Sequence, residues 1–278
     1  MNPITSKVNP LRVVEEKVDT DSDQTEHTGF LGLYERGFRR FKILGTMVVL
    51  LPMYLVGVVC FGLALIPGVS LFRWGYGQLQ SYPTLVQNIG YGFLIAAAYV
   101  LFGFSLILIV PALNFISRAY PKPWRGPYYS LQTIRWGIHN AFTYIPRFVF
   151  LEYMTPTPFN LLFYRLMGMK IGRNVQINTT HISDPCLIEL GDKATIGGSV
   201  TLIAHYAQGG FLVIAPVKIG KGATIGLRAI ILGDVEIGEK AKILPNSVVL
   251  PKTRIPAGET WGGVPACKIE ISLFRKKA

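Results

Sequence analysis

The chain is poor in charge. Only 16% of its 278 residues are Asp, Glu, Lys or Arg, while half are hydrophobic. An ordinary soluble domain carries about 25% charged residues, so these few would hardly cover the surface of a single soluble domain. Disorder of the whole chain is excluded too, because it needs low hydrophobicity and high charge. The apolar excess must be concentrated somewhere, and membrane spans are the first expectation. Cysteine is scarce: Cys60, Cys186 and Cys267, irregularly spaced, form neither a disulfide framework nor a zinc site. They give no reason to expect an oxidising compartment. Acidic side chains are almost missing from the middle of the chain, where between residues 43 and 168 Glu152 stands alone against seven Lys and Arg. Residues 1–42 are balanced at seven and seven, and residues 169–278 hold fourteen basic and eight acidic side chains. The net charge of +12 suits nucleic acid, an anionic membrane or a phosphorylated substrate. Because the acid-free segment is also the most apolar one, the membrane fits better, and no nucleic-acid partner is expected.

Two uncharged runs stand out. Ile43 to Pro67 and Tyr91 to about Ile116 carry no charged residue and no polar face. Each is long enough to cross about 30 Å of hydrocarbon at about 1.5 Å per residue. Arg36, Arg39, Arg40 and Lys42 precede the first run, Arg118, Lys122 and Arg125 follow the second, and only Arg73 lies between. By the positive-inside rule both chain ends are cytoplasmic in an inner-membrane type protein, and residues 69–90 face the other side. Residues 1–42 read as a flexible cytoplasmic tail, without the short apolar core and cleavage site of a signal peptide. Residues 118–168 follow as a lead-in. There Leu131, Ile134, Ile138, Phe142 and Ile145 recur at helical spacing, with Arg135, His139 and Asn140 between them. This pattern reads as an amphipathic helix lying on the membrane, or else packed on the domain that follows. A short apolar helix, Asn160–Met167, comes next.

From residue 169 the period changes. Ile219, Ile225, Ile231, Ile237, Ile243, Val249 and Ile255 recur every sixth residue. Ala223, Ala229, Val235, Ala241 and Ser247 stand four positions after the first five of them. Upstream, Ile171 and Ile177 keep the step, as do Leu190, Ile196 and Leu202. Neither the helical period nor the strand period gives six, and fixed self-similarity means a solenoid. Three six-residue faces make a triangular coil with the aliphatic inside. The pattern resembles the hexapeptide-repeat acyltransferase family, over about 100 residues from Ile171 to Ile269. With the two uncharged runs read as a two-helix transmembrane region, the resemblance implies that an all-β left-handed parallel β-helix follows over residues 169–278.

The repeat breaks after Leu202, where AHYAQGGFLVIAP is inserted, and an insertion in a stacked coil must project. Hexapeptide acyltransferases place a catalytic histidine in such a loop, reaching toward a neighbouring subunit, and His205 matches that position. Acyl transfer from a thioester to a hydroxyl needs loss of the hydroxyl proton, and imidazole, with a pKa of about 6.5, suits that task. No Gly-x-Ser-x-Gly elbow appears, which favours direct attack over an acyl-enzyme. Asp184, in an earlier irregularity one residue longer than three hexads, is a candidate to orient His205, to bind an acceptor hydroxyl or merely to cap a turn. His181 and Tyr206 are weaker substrate-binding candidates. The resemblance implies an acyl-CoA donor, acetyl-CoA first, with no metal. Gly226 and Ala229 are candidates to wall its pantetheine arm, and Arg228, Lys252, Arg254 or Lys268 to meet its phosphates. It also implies a homotrimer.

The leading expectation is O-acetyl transfer to a membrane-associated or lipid-linked glycan. The two spans with TWGGVPA and a histidine-bearing loop also resemble the C-terminal membrane units of poly-amino-acid synthetases, which form amide bonds. Against this, the chain shows no adenylation or carrier domain. The γ-type carbonic anhydrase shares the prism but needs three histidines for zinc, and the repeat domain holds only His181 and His205. A membrane-anchored scaffold without activity is the non-enzymatic alternative.

Overall fold

In a computed structural model, residues 29–270 of the chain are described. Residues 1–28, with most of the expected tail and His27, lie outside them. Residues 29–40, which the sequence reading placed in that tail, form helix α1 (Gly29–Arg40). Its Arg39 pairs with Glu35 at 2.8 Å and donates to the Tyr129 carbonyl at 3.2 Å.

Two long helices follow, α2 (Lys42–Leu79) and α3 (Thr84–Ser117). They exceed the expected runs of 43–67 and 91–116, and the expected far-side connection of residues 69–90 shrinks to residues 80–83. The cause lies in the flanks: Arg73, Trp74 and Tyr76 do not break a helix, and α2 continues through them until Pro83 sets the start of α3. Both are long and apolar enough to cross a membrane. Most of their apolar side chains face outward, Ile66, Phe93 and Ile95 among them, rather than into a core.

A strand, Trp124–Pro127, leads to α4 (Leu131–Pro146), whose first turn is capped by Ser130. Thr133, His139, Asn140, Phe142, Thr143 and Pro146 of α4 are buried. The helix packs on α3 and is bonded to the solenoid through Asn140–Asp184 and Tyr144–Ser183, the packing that the second expected placement describes. A π-helical turn (Arg147–Leu151) and α5 (Pro158–Leu166), capped by Thr157 with Pro158 in its first turn, complete the lead-in.

The remainder is a left-handed parallel β-helix of about five coils. Its first face stacks Lys170–Ile171, Ile188–Leu190, Val217–Ile219, Val235–Ile237 and Arg254–Ile255. The second face stacks Gln176–Ile177, Thr195–Ile196, Thr224–Ile225, Lys242–Ile243 and Thr260–Gly262. The third stacks Ile182–Ser183, Thr201–Ile203, Ile230–Ile231 and Val248–Val249. Register puts aliphatic on aliphatic, as in Ile196 over Ile225 over Ile243. Each corner needs a residue in the left-handed region, supplied by Lys193, Arg228, Asp234, Asn246 and Lys252 among others. A solenoid's open end must be covered. Here Phe163, Tyr164 and Met167 close the first coil, so one apolar core runs from Cys60 and Leu106 through these residues to Ile255.

The insertion is an ordered hairpin with an exposed tip at residues 207–210. His205–Gln208 and Phe211–Ile214 form an antiparallel hairpin, and the second strand pairs with Trp124–Pro127. The backbone groups of both hairpin strands thus find partners within the chain.

The interior aliphatics should carry most of the solenoid's stability. Ile231→Ala is expected to cost about 2–5 kcal/mol, and Thr224→Ala, on the exposed side of the second face, less than about 0.5 kcal/mol. Thermal unfolding of the detergent-solubilised chain checks both.

Candidate active site

The third face of the prism ends in the corner that gathers the chemistry. In the first coil, Ser183 is the last residue of the face and Asp184 turns the chain at φ 56°, ψ 48°. The parallel pairing of Ser183 with Ile203 sets the next coil beneath it, where Ala204 fills the interior and His205 leaves to begin the hairpin. Gly233 lies below that exit. A Cβ there would come within 2.9 Å of the His205 nitrogen, so the chain can leave the coil only over a glycine.

Asp184 Oδ2 and His205 Nδ1 are 2.5 Å apart. The Asp184 side chain is completely buried, and that of His205 is 18% exposed at the rim. A buried carboxylate is costly unless every oxygen is met. Here the second oxygen, Oδ1, accepts from Asn140 Nδ2 on α4 at 2.7 Å, and Asn140 Oδ1 accepts the Asp184 backbone N–H at 3.3 Å. Tyr144 and Ser183 hydroxyls, 2.8 Å apart, fasten the same helix to the same strand. The Trp136 ring stands edge-on to the His205 imidazole with centroids 4.8 Å apart.

Charge in this corner is confined to the pair. His139, one residue before Asn140, is fully buried and bonds through Nδ1 to Asn114 Oδ1 at 3.1 Å. Burial pulls its pKa down to about 4, against a smaller upward pull from Asp184. Burial, with Asp184 adding to it, pushes the Cys186 thiol up to about 12. Both groups are neutral at pH 7, so neither competes with His205 for the carboxylate. Asn114 Nδ2, Trp136 Nε1 and His139 Nε2 are buried without a hydrogen-bond partner. With Nδ1 committed as donor to Asp184, His205 keeps its lone pair on Nε2. The arrangement can take a proton from a group held at the rim.

The other expected site residues are dispersed. His181 stands at the far end of the Ile182–Ser183 strand, its N–H bonded to Thr179 Oγ1 and its carbonyl to Leu202. Tyr206 follows His205 and, by strand alternation, points to the opposite side of the hairpin. Partial burial and Asp234 raise its pKa, with Arg125 opposing. Gly226 and Arg228 turn the corner between the second and third faces, where a Cβ on Gly226 would meet the Pro245 nitrogen at 2.6 Å. Lys252 turns the corner below Asp234. Lys268 is tied to Glu259 at 2.5 Å, and Arg254 to Asp234 at 2.6 Å. Ala229 is corrected: its methyl is fully buried inside the prism and cannot wall a groove. Sequence reasoning missed Asn140 and Trp136 as part of the site. The adjacent polar pair His139–Asn140 inside an apolar period was the available signal. Among the described residues, no three His, Cys, Asp or Glu side chains converge as metal ligands.

No family model matches the chain. It is 27% identical over 170 residues, 61% of the chain, to a delta-poly-L-ornithine synthetase of Acinetobacter baumannii, covering 13% of that protein. It is 35% identical over 34% of its length to gamma carbonic anhydrase 2, mitochondrial, of Arabidopsis thaliana, covering 32% of it. It is 37% identical over 32% of its length to a serine acetyltransferase of Buchnera aphidicola, covering 33% of it. The chain thus spans a third or less of these curated relatives. Similar solved structures include a maltose O-acetyltransferase from Clostridium difficile (19% identity, TM-score 0.41, 54% of this chain and 94% of that one). A hexapeptide-repeat acetyltransferase of Vibrio cholerae complexed with acetyl coenzyme A is another (25% identity, TM-score 0.35, 37% and 60%).

The neutral, buried His139 should make stability depend on pH. Its folded pKa of about 4 lies below the unfolded value of 6.5, so the unfolded chain binds the extra proton between the two. Stability is therefore complete above pH 6.5 and falls by about 3 kcal/mol as the pH drops to 4. His139→Gln is expected to flatten that slope, read from melting temperature against pH.

Proposed function

We propose that the chain is an acyl-CoA-dependent acyltransferase that O-acetylates a membrane-associated or lipid-linked glycan, with His205 as general base. The observation that carries this reading is the Asp184–His205 pair at the break in the hexad repeat, with Nε2 left free at the rim. The acceptor hydroxyl donates its hydrogen bond to Nε2. As its oxygen attacks the thioester carbonyl, the new C–O bond forms and the proton passes to Nε2. The tetrahedral intermediate then collapses, the C–S bond breaks, and the imidazolium returns the proton to the departing thiolate. Asp184 holds the imidazole and stabilises its charged form between the two steps, without taking the proton itself. Backbone N–H groups of the coils are the candidate donors to the oxyanion. Acetyl-CoA as donor is supported by the hexad repeat and by the likeness to a serine acetyltransferase. Arg228, Lys252 and Lys268 remain the candidates for its phosphates.

The acceptor is taken to come from the bilayer because α2 and α3 are apolar on their outward sides. Both are proposed to span the inner membrane, with the Arg and Lys at their flanks holding the chain ends in the cytoplasm. A homotrimer is proposed through the third face. Its outward positions include Ile203, Ile230, Leu232, Val248 and Leu250, whereas the first face shows Lys170, Glu189, Lys218, Glu236 and Arg254.

A second reading, amide formation on an amine acceptor, is favoured by one observation. The match to the poly-ornithine synthetase covers 170 residues and so extends well beyond the solenoid. The same base would serve an amine.

Incubation of detergent-purified protein with radiolabelled acetyl-CoA and a membrane lipid extract tests both readings. The first predicts label in lipid or glycan that hydroxylamine releases as an ester; the second predicts label that resists it. His205→Ala should lower turnover by about 10²–10⁴-fold with little change in KM for acetyl-CoA. An equally active variant would overturn His205 as the base, and no transfer with several acyl-CoAs would favour the scaffold alternative.

A further inference from the structure

We infer that Asn140 is the positioning residue of this site: it fixes the Asp184 carboxylate and, through it, the tautomer and orientation of His205. The catalytic meaning of this inference rests on the general-base reading of His205, but its geometry does not.

The Asn140 amide has its orientation determined by its neighbours. Nδ2 donates to Asp184 Oδ1 at 2.7 Å and to the Trp136 carbonyl at 3.2 Å, while Oδ1 accepts the Asp184 N–H. Reversing the amide would set acceptor against acceptor twice and donor against donor once. Asn140 thus grips Asp184 at both its backbone and its side chain. Because both residues are buried, water cannot take over either bond. Without the amide, one oxygen of a buried carboxylate would have no donor. The carboxylate would then be free to rotate against His205 Nδ1, whose hydrogen bond sets which imidazole nitrogen keeps the lone pair.

Among the described residues, this task falls to Asn140 alone. On α4, His139 is neutral; on the corner, Cys186 keeps its proton. On the hairpin side the titratable and charged neighbours are Tyr206, Arg125 and Asp234, the last ion-paired with Arg254. None of these bonds to the Asp184 carboxylate. The helix that carries Asn140 is itself held by α3 through the His139–Asn114 bond and by the prism through Tyr144–Ser183. The geometry of the base is therefore set jointly by the helical layer and the solenoid.

The test needs no acyl acceptor. The full chain, labelled with ¹⁵N and ¹³C in histidine and held in detergent, is titrated by NMR, with His205→Gln assigning the resonance. In the wild type, neutral His205 is expected to carry its proton on Nδ1. Asn140→Leu keeps the volume and removes the donor. The carboxylate, short of a donor, is then free to turn away from Nδ1, so the neutral tautomers should mix. Asn140→Ser keeps a short donor and should mix them less. A wild-type His205 protonated on Nε2, or a tautomer unchanged in Asn140→Leu, would overturn the inference. Absence of acyl transfer with these NMR results intact would count only against the proposed function. Should Asn140→Leu fail to fold, the wild-type tautomer and the Asn140→Ser titration still decide.

Discussion

A carboxylate sealed from water constrains this molecule more than any other single group. Asp184 is fully buried, and its two oxygens are met from two directions, by Asn140 of α4 and by His205 of the hairpin. Each partner presupposes a piece of architecture. Asn140 is in reach only if α4 lies against the third face of the prism, which Tyr144 and Ser183 secure. His205 is in reach only if the chain leaves the second coil at Ala204, which the glycine at 233 permits. Asp184 itself must turn in the left-handed region, where an aspartate is tolerated better than most residues. Removing either partner leaves a buried charge short of a donor, the kind of loss that destabilises far more than an exposed pair does.

The same constraint ties the site to the apolar helices. Asn114 Oδ1, near the end of α3, accepts from Nδ1 of His139, the neighbour of Asn140. Only two side chains therefore separate the last turn of a membrane-competent helix from the carboxylate that orients His205. The continuous core from Cys60 and Leu106 to Ile255 gives the helical layer and the prism one packing unit rather than two loosely joined ones.

The solenoid was legible because its signal is local and redundant: one aliphatic every sixth residue, from Ile219 to Ile255, admits no other packing. His205 was legible for the converse reason, since it sits where that regularity fails. Asp184 showed itself through a single surplus residue. Asn140 did not, because nothing in the spacing of α4 says which face meets α3 and which meets a strand about 40 residues away. Ala229 shows the limit of reading size without side: smallness at that position serves the interior of the prism, not an outer wall. The pairing of Phe211–Ile214 with Trp124–Pro127 is a contact across about 85 residues, and its residues carry no periodic mark. Likewise, the apolar runs marked the two long helices but not their ends, since helical hydrogen bonding continues past Arg73 as readily as before it.

The central claim is that Asp184 acts on chemistry only through His205, as one unit. A double-mutant cycle on single-turnover acetyl transfer from acetyl-CoA, using His205→Ala, Asp184→Asn and the pair, measures this directly. The account predicts that each single variant is slow and that the double variant is no slower than His205→Ala alone. Losses that multiply, with the double variant slower than His205→Ala by the full factor of Asp184→Asn, would contradict it.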